Sequence, residues 1–181
     1  MFESCRGRHF SFTLAFYHHV FRLRRLNHFV LARIIHILAV VLWIGGVSFV
    51  TLSLIPVILK DLPAPQRLHA FERYERLFAW QARVTTFLAG ASGFYMLHVL
   101  NGWDRLLQGQ YWWLQLMVLV WTLFTVLLFI AEPLFLEAFL RRQNLKNPVA
   151  TMARIRLLHI FLLTLSLLAI FGGVGGSHGM F

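Results

Sequence analysis

His36 stands near the start of an apolar run, Ile34 to Leu59, that holds no Asp, Glu, Lys or Arg. An ionisable ring in such surroundings costs free energy unless something satisfies it, so the residue reads as a site whose partner has to be found. The chemistry it offers is ligation: a neutral imidazole presents one ring nitrogen to a metal or a haem iron while the other is held by a hydrogen bond. His98 and His178 are the candidate co-ligands, the latter in the pliant stretch Gly175-Gly176-Ser177-His178-Gly179. Arg83, Glu132 and His159 form a second candidate set. They read as a polar cluster on the opposite side, either a plain ion pair or a proton or substrate site for a quinone or a porphyrin. Glu137 is a competitor for Arg83 or Arg156.

The elements that must position these groups follow from composition. With 59% hydrophobic and 13% charged residues and 18 Phe in 181 positions, the chain reads as an all-α integral membrane protein rather than a soluble domain. A hydrocarbon core of about 30 Å takes roughly 20 helical residues to cross. Four stretches approach that length: Ile34 to Leu59, Val84 to Leu100, Tyr111 to Ala131 and Leu157 to Val174. The second is short alone and is extended at the interface by Leu77 to Gln81, with Trp80 as an aromatic anchor. The expected architecture is a four-transmembrane-helix bundle over residues 31–181.

Residues 1–30 read as an interfacial amphipathic helix, because Phe10, Phe12, Phe16, Tyr17 and Phe21 precede the cluster Arg22, Arg24, Arg25. A cleaved secretory signal is the rival, but no small-residue cleavage site follows Arg6 and Arg8. The lone Cys5 excludes an internal disulfide and Cys-based zinc or iron-sulfur chemistry. The formal net charge of +10 sits in the tail and loops, so lipid headgroups rather than nucleic acid are the expected counter-charge. Lys and Arg are nearly balanced between the two faces, which leaves orientation open.

Between the spans, Asp61 to Arg76 carries Pro63 and Pro65 and then Glu72, Arg73, Glu75 and Arg76, which predicts a turn and a small surface helix. Asn101 to Gln110 is a tight connection, and Asn147-Pro148 ends the third helix and starts the fourth. Threading the spans alternately puts His36 and His98 at matching depth, about 9 to 16 Å from the middle of their spans. Gln115 and His178 share that side, while Arg83, Glu132 and His159 lie on the other. Two opposed imidazoles at one depth could ligate a haem b iron from both faces. Room for the ring would come from Gly45-Gly46, Gly90, Gly93, Gly172-Gly173 and Gly175-Gly176, with Phe94 and Trp43 as flat neighbours. The competing reading makes those glycines helix contacts.

The segment Ile35 to Gly46, with its His36, Trp43 and Gly45-Gly46, and Pro56 at the end of the span, resembles the first helix of the copper-resistance CopD family. It is also similar to the HemJ-type protoporphyrinogen oxidases, four-helix membrane proteins. The resemblance continues through Arg83 with Gly90 and through Tyr111-Trp112-Trp113-Leu114-Gln115. It implies a bacterial inner-membrane protein and, on the HemJ side, a haem b with His36 as one axial ligand. On the CopD side it implies copper, with His36, His98, Met96 and His178 touching the ion. The chain departs from the HemJ pattern at Gln115, where a Lys is expected, and at Asn147-Pro148, where an Asn-Glu signature is expected. Met96, Met117 and Met152 are scattered rather than aligned for a copper path. Three functions follow as expectations. One is a haem b electron-transfer protein or membrane oxidoreductase working with a quinone or redox-protein partner. The others are a copper transport or tolerance protein, and a cofactor-free subunit of a larger complex or homo-oligomer.

Overall fold

The computed structural model describes residues 4–180, with side chains from residue 27 onward except those at 135 and 137. The expectations placed on Cys5, on the aromatic and basic side chains before residue 27, and on Glu137 lie outside the described residues.

Helix α1 (Ser4–Phe49) passes through a π-helical turn (Val50–Leu54) into α2 (Ile55–Asp61). Pro56 explains the wide turn, because it has no N–H to give and its ring crowds the carbonyl four residues back. Pro63, in extended backbone, then opens α3 (Ala64–Val99). Here the sequence expectation is corrected: the charged stretch and the second span are one helix. No Gly or Pro interrupts the stretch from Gln66 to Ala89, and Glu, Arg, Leu and Ala in that stretch all favour helix.

Asn101, at φ 49°, reverses the chain after α3, and the Gly102 N–H caps the Leu97 carbonyl at 2.9 Å. Two short 3₁₀ turns (Trp103–Leu107 and Gly109–Tyr111) lead into α4 (Trp112–Thr125), a π-helical stretch (Val126–Leu136) and α5 (Glu137–Lys146). Pro133 sits inside the π stretch, so the proline widens this helix instead of ending it. Asn147 caps α6 (Pro148–Ser177) by accepting the Ala150 N–H at 3.0 Å, as the Asn-Pro pair predicts.

Among the described residues all regular structure is helical. Among the described residues three stretches are long and apolar enough to cross a membrane: Asn27–Asp61, Gly109–Leu134 and Pro148–Ser177. The expected second span is not among them; the uncharged part of α3 from Val84 to Val99 rises only about 24 Å. α1 packs most extensively on α3, and α4 on α6. One buried cluster joins Trp43, Ala89, Phe124 and Leu162, and another joins Ile55, Phe71, Met152 and Ile155. Much of the exterior is apolar too, including Leu38, Val41, Leu52, Leu119, Leu157 and Phe161.

The helices are keyed together by large side chains seated in glycine notches. A Cβ on Gly90 would run into the Trp121 indole, one on Gly176 into Trp113, and one on Gly172 would come within 2.8 Å of Trp112. Met117 fills the notch at Gly173. A Cβ on Gly45, by contrast, would meet no atom of the described residues within 4 Å. Gly176→Ala is therefore expected to destabilise the folded chain by roughly 1–3 kcal/mol through overpacking. Gly45→Ala should be neutral or slightly stabilising. Thermal unfolding of the two variants in the same detergent checks this contrast, and equal transitions would refute it.

Candidate binding cavity and the histidine positions

The candidate haem pair is separated by the fold. His36 is half-buried against α3, where its Nδ1–H donates to the Ala89 carbonyl at 2.9 Å and lies 3.2 Å from Ser92 Oγ. A carbonyl can only accept, so the proton sits on Nδ1 and Nε2 keeps its lone pair. Gly93 makes the room: a Cβ there would stand 3.2 Å from His36 Cε1. His98 is exposed and lies about half a turn around α3 from the Ala89, Ser92 and Gly93 face. Depth matches along the helix axis, but direction around it does not.

The residues expected to surround a haem are also engaged with protein. Trp121 occupies the Gly90 notch and its Nε1–H reaches the Thr86 carbonyl at 2.9 Å. Phe94 stacks on Trp103 at 6.1 Å and meets Trp121 edge-on at 5.2 Å. Gln115 donates to the carbonyls of Leu106 and Gln108, at 3.0 and 3.4 Å, and so pins the loop before α4. His178 donates from Nδ1 to the Val174 carbonyl at 2.8 Å at the end of α6. A haem held between His36 and His98 does not fit this arrangement. Among the described residues no three His, Cys, Asp or Glu side chains gather as a metal site either.

The other candidate set does converge. Arg83 donates from Nη2 to Glu132 Oε1 at 2.9 Å and from Nε to the Leu128 carbonyl at 3.2 Å, tying α3 to the π stretch. Glu132 and His159 both line a half-open cavity of about 380 Å³ bounded by α1, α3, α4, the π stretch, α5 and α6. His159 donates from Nδ1 to the Ile155 carbonyl at 2.9 Å and meets Phe71 edge-on at 5.5 Å. Its Nε2 is thereby left as an acceptor in the neutral ring. The walls are chiefly apolar and aromatic, including Phe71, Phe78, Phe124, Phe139 and Leu162.

Two lining residues give the cavity a chemistry the sequence reading missed or misplaced. Trp43, expected beside a haem, lines this cavity: it packs edge-on against Phe124 at 4.8 Å and is 6% exposed. Among the described residues its indole N–H is buried with no hydrogen-bond partner, which is costly and invites an acceptor. Glu75, expected on a surface helix, projects from the cavity-facing side of α3, along with Phe71, Phe78, Ala79 and Ala82. Burial, helped by the charges of Glu132 and Glu72, pushes its carboxyl up to about 7. The signal that could have found it is its spacing: Phe71, Glu75, Phe78 and Ala82 recur on one helical face.

No family model, no curated protein and no solved structure matches the chain.

The raised Glu75 carboxyl makes a pH-dependent statement about stability. A folded-state value above the unfolded one means the folded chain binds the proton more tightly, so stability falls as pH rises from about 4.5 through about 7. Above that range the folded chain carries a half-buried carboxylate at full cost. Glu75→Gln removes the charge, so its melting temperature in detergent is expected to exceed the wild-type value by several degrees at pH 8.5. Near pH 4.5 the two should coincide within a degree or two. A difference independent of pH would contradict the assignment.

Proposed function

We propose that this chain is an integral membrane protein whose helical rods cross the bilayer and whose cavity takes a quinone-type ligand from the lipid. Three long apolar helices and an apolar exterior support insertion. α3 joins them as a fourth crossing on this reading, because Leu77 to Val99 rises about 34 Å and its one charge, Arg83, is matched by Glu132. The cavity is apolar over most of its wall, with polar side chains at Glu75, Gln81, Glu132, Gln143, Arg154 and His159, which suits an amphipathic ring with a hydrocarbon tail.

One observation carries the ligand class: Trp43 lines the cavity, and its indole N–H is buried with no hydrogen-bond partner among the described residues. An indole only donates, so its natural partner is an oxygen that only accepts, such as a quinone carbonyl. The His159 Nε2 acceptor and the Glu75 carboxyl give further places for ring oxygens to exchange protons with the protein.

The test is equilibrium binding of a short-chain quinone to the full chain in detergent. Saturable binding is expected, with affinity reduced roughly tenfold in Trp43→Phe, the loss of about one hydrogen bond worth near 1.4 kcal/mol. Unchanged affinity in Trp43→Phe, or no binding by wild type, would overturn the ligand assignment. Insertion is checked separately by alkaline carbonate extraction of membranes, where the chain should stay in the pellet.

A further inference from the structure

Resting on the quinone reading of the cavity, we propose that Glu75 decides which redox form of the ligand is held. As an acid it selects the quinone, and as a carboxylate it selects the quinol. The two forms differ in hydrogen bonding in a way the cavity can read. Quinone oxygens only accept, whereas quinol hydroxyls also donate.

The geometry singles out Glu75 among the acids of this region. Glu132 is paired with Arg83 at 2.9 Å, and Glu72 with Arg141 at 3.4 Å. Glu75 has neither a hydrogen bond nor an ion pair to any described residue, yet it lines the cavity. The charged and titratable groups around it are Glu72 and Arg83 on its own helix, Glu132 on the π stretch, Arg141 on α5, and Arg154 and His159 on α6. The part of α1 and its π turn that lines the cavity, Leu42 to Val50, brings none. The neighbouring cations are already shared: Arg83 and Arg141 with carboxylates, and Arg154 with Gln143 Oε1 at 3.4 Å.

With its carboxyl protonated, Glu75 adds a donor to the Trp43 N–H, and a ring bearing two carbonyls satisfies both. With the proton gone, the cavity has one donor fewer and one acceptor more: the Glu75 carboxylate joins His159 Nε2 and Glu132, while Trp43, Gln81, Gln143 and Arg154 line the wall in both states. A ring bearing hydroxyls then fits better, because its two hydroxyls can each donate to an acceptor while one of them still accepts from Trp43. The value of about 7 places the exchange between the two arrangements within the range of ordinary cellular pH.

The experiment measures affinity of the detergent-solubilised full chain for a short-chain quinone, and anaerobically for the corresponding quinol, from pH 5.5 to 8.5. Quinone affinity is expected to fall about tenfold or more across the range while quinol affinity rises. Glu75→Gln, a permanent neutral donor, should flatten both curves and keep the quinone bound. Glu75→Met, which removes donor and acceptor together, should flatten them as well while weakening both forms. Unfolding at pH 5.5, where the wild-type carboxyl is also neutral, confirms that the variants fold. Flat or parallel curves in wild type, or curves in Glu75→Gln that still cross, would overturn the inference while leaving the site intact. Absence of binding by either form at any pH would remove the quinone site itself and this inference with it.

Discussion

The seating of large side chains in glycine notches is the constraint on which the helix arrangement depends. Helices with apolar surfaces on every side gain little by burying them against one another in lipid, and close packing has to supply the difference. Here Trp113 enters α6 at Gly176, Trp112 and Met117 enter at Gly172 and Gly173, and Trp121 enters α3 at Gly90. α4 is thus the key that fits two locks, and it draws α3 and α6 to it. The same contacts use up the space that a flat macrocycle would need at this end of the bundle. What room the fold has lies at the other end, where the π stretch follows α4.

That second end gathers its polar groups economically. Arg83 uses two of its nitrogens on one short segment, the Leu128 carbonyl and the Glu132 carboxylate. Both are presented by the π stretch, whose wider turns leave carbonyls less committed to their own helix. His159 is oriented by a carbonyl of its own helix and an aromatic edge, so its ring is fixed without any charged partner. The result is an apolar chamber with a few fixed polar atoms, a pattern suited to orienting a ligand.

Much of this was legible in the residues. The helical class followed from composition, the helix boundary from Asn147-Pro148, and the pairing of Arg83 with Glu132 from alternate threading. Threading gives depth and says nothing of direction, which is why His36 and His98 read as partners although they lie on different sides of α3. Gly90 and Phe94 were rightly placed on one face, but a sequence does not say whether a notch admits a ligand or a neighbouring tryptophan. Glu75 was hidden by its company: Glu72, Arg73 and Arg76 make the segment look like a solvated surface, and only the continuous run of α3 turns one of its faces inward. The π-helical stretches left no mark beyond Pro56 and Pro133, since a wide turn has no residue pattern of its own.

The ion pair between Arg83 and Glu132 bears on how such a chain could be assembled in a bilayer. If α3 crosses as proposed, it carries its arginine into the apolar zone well before the residue that neutralises it has been synthesised, because Glu132 belongs to the following rod. Alone, α3 would carry an unmatched cation on a short apolar segment and would be a poor candidate for independent entry. Its commitment to the membrane would wait for α4 and the π stretch, so the two would enter as a hairpin rather than one after the other. The stability of the finished bundle and the order of its construction would then be set by the same two side chains.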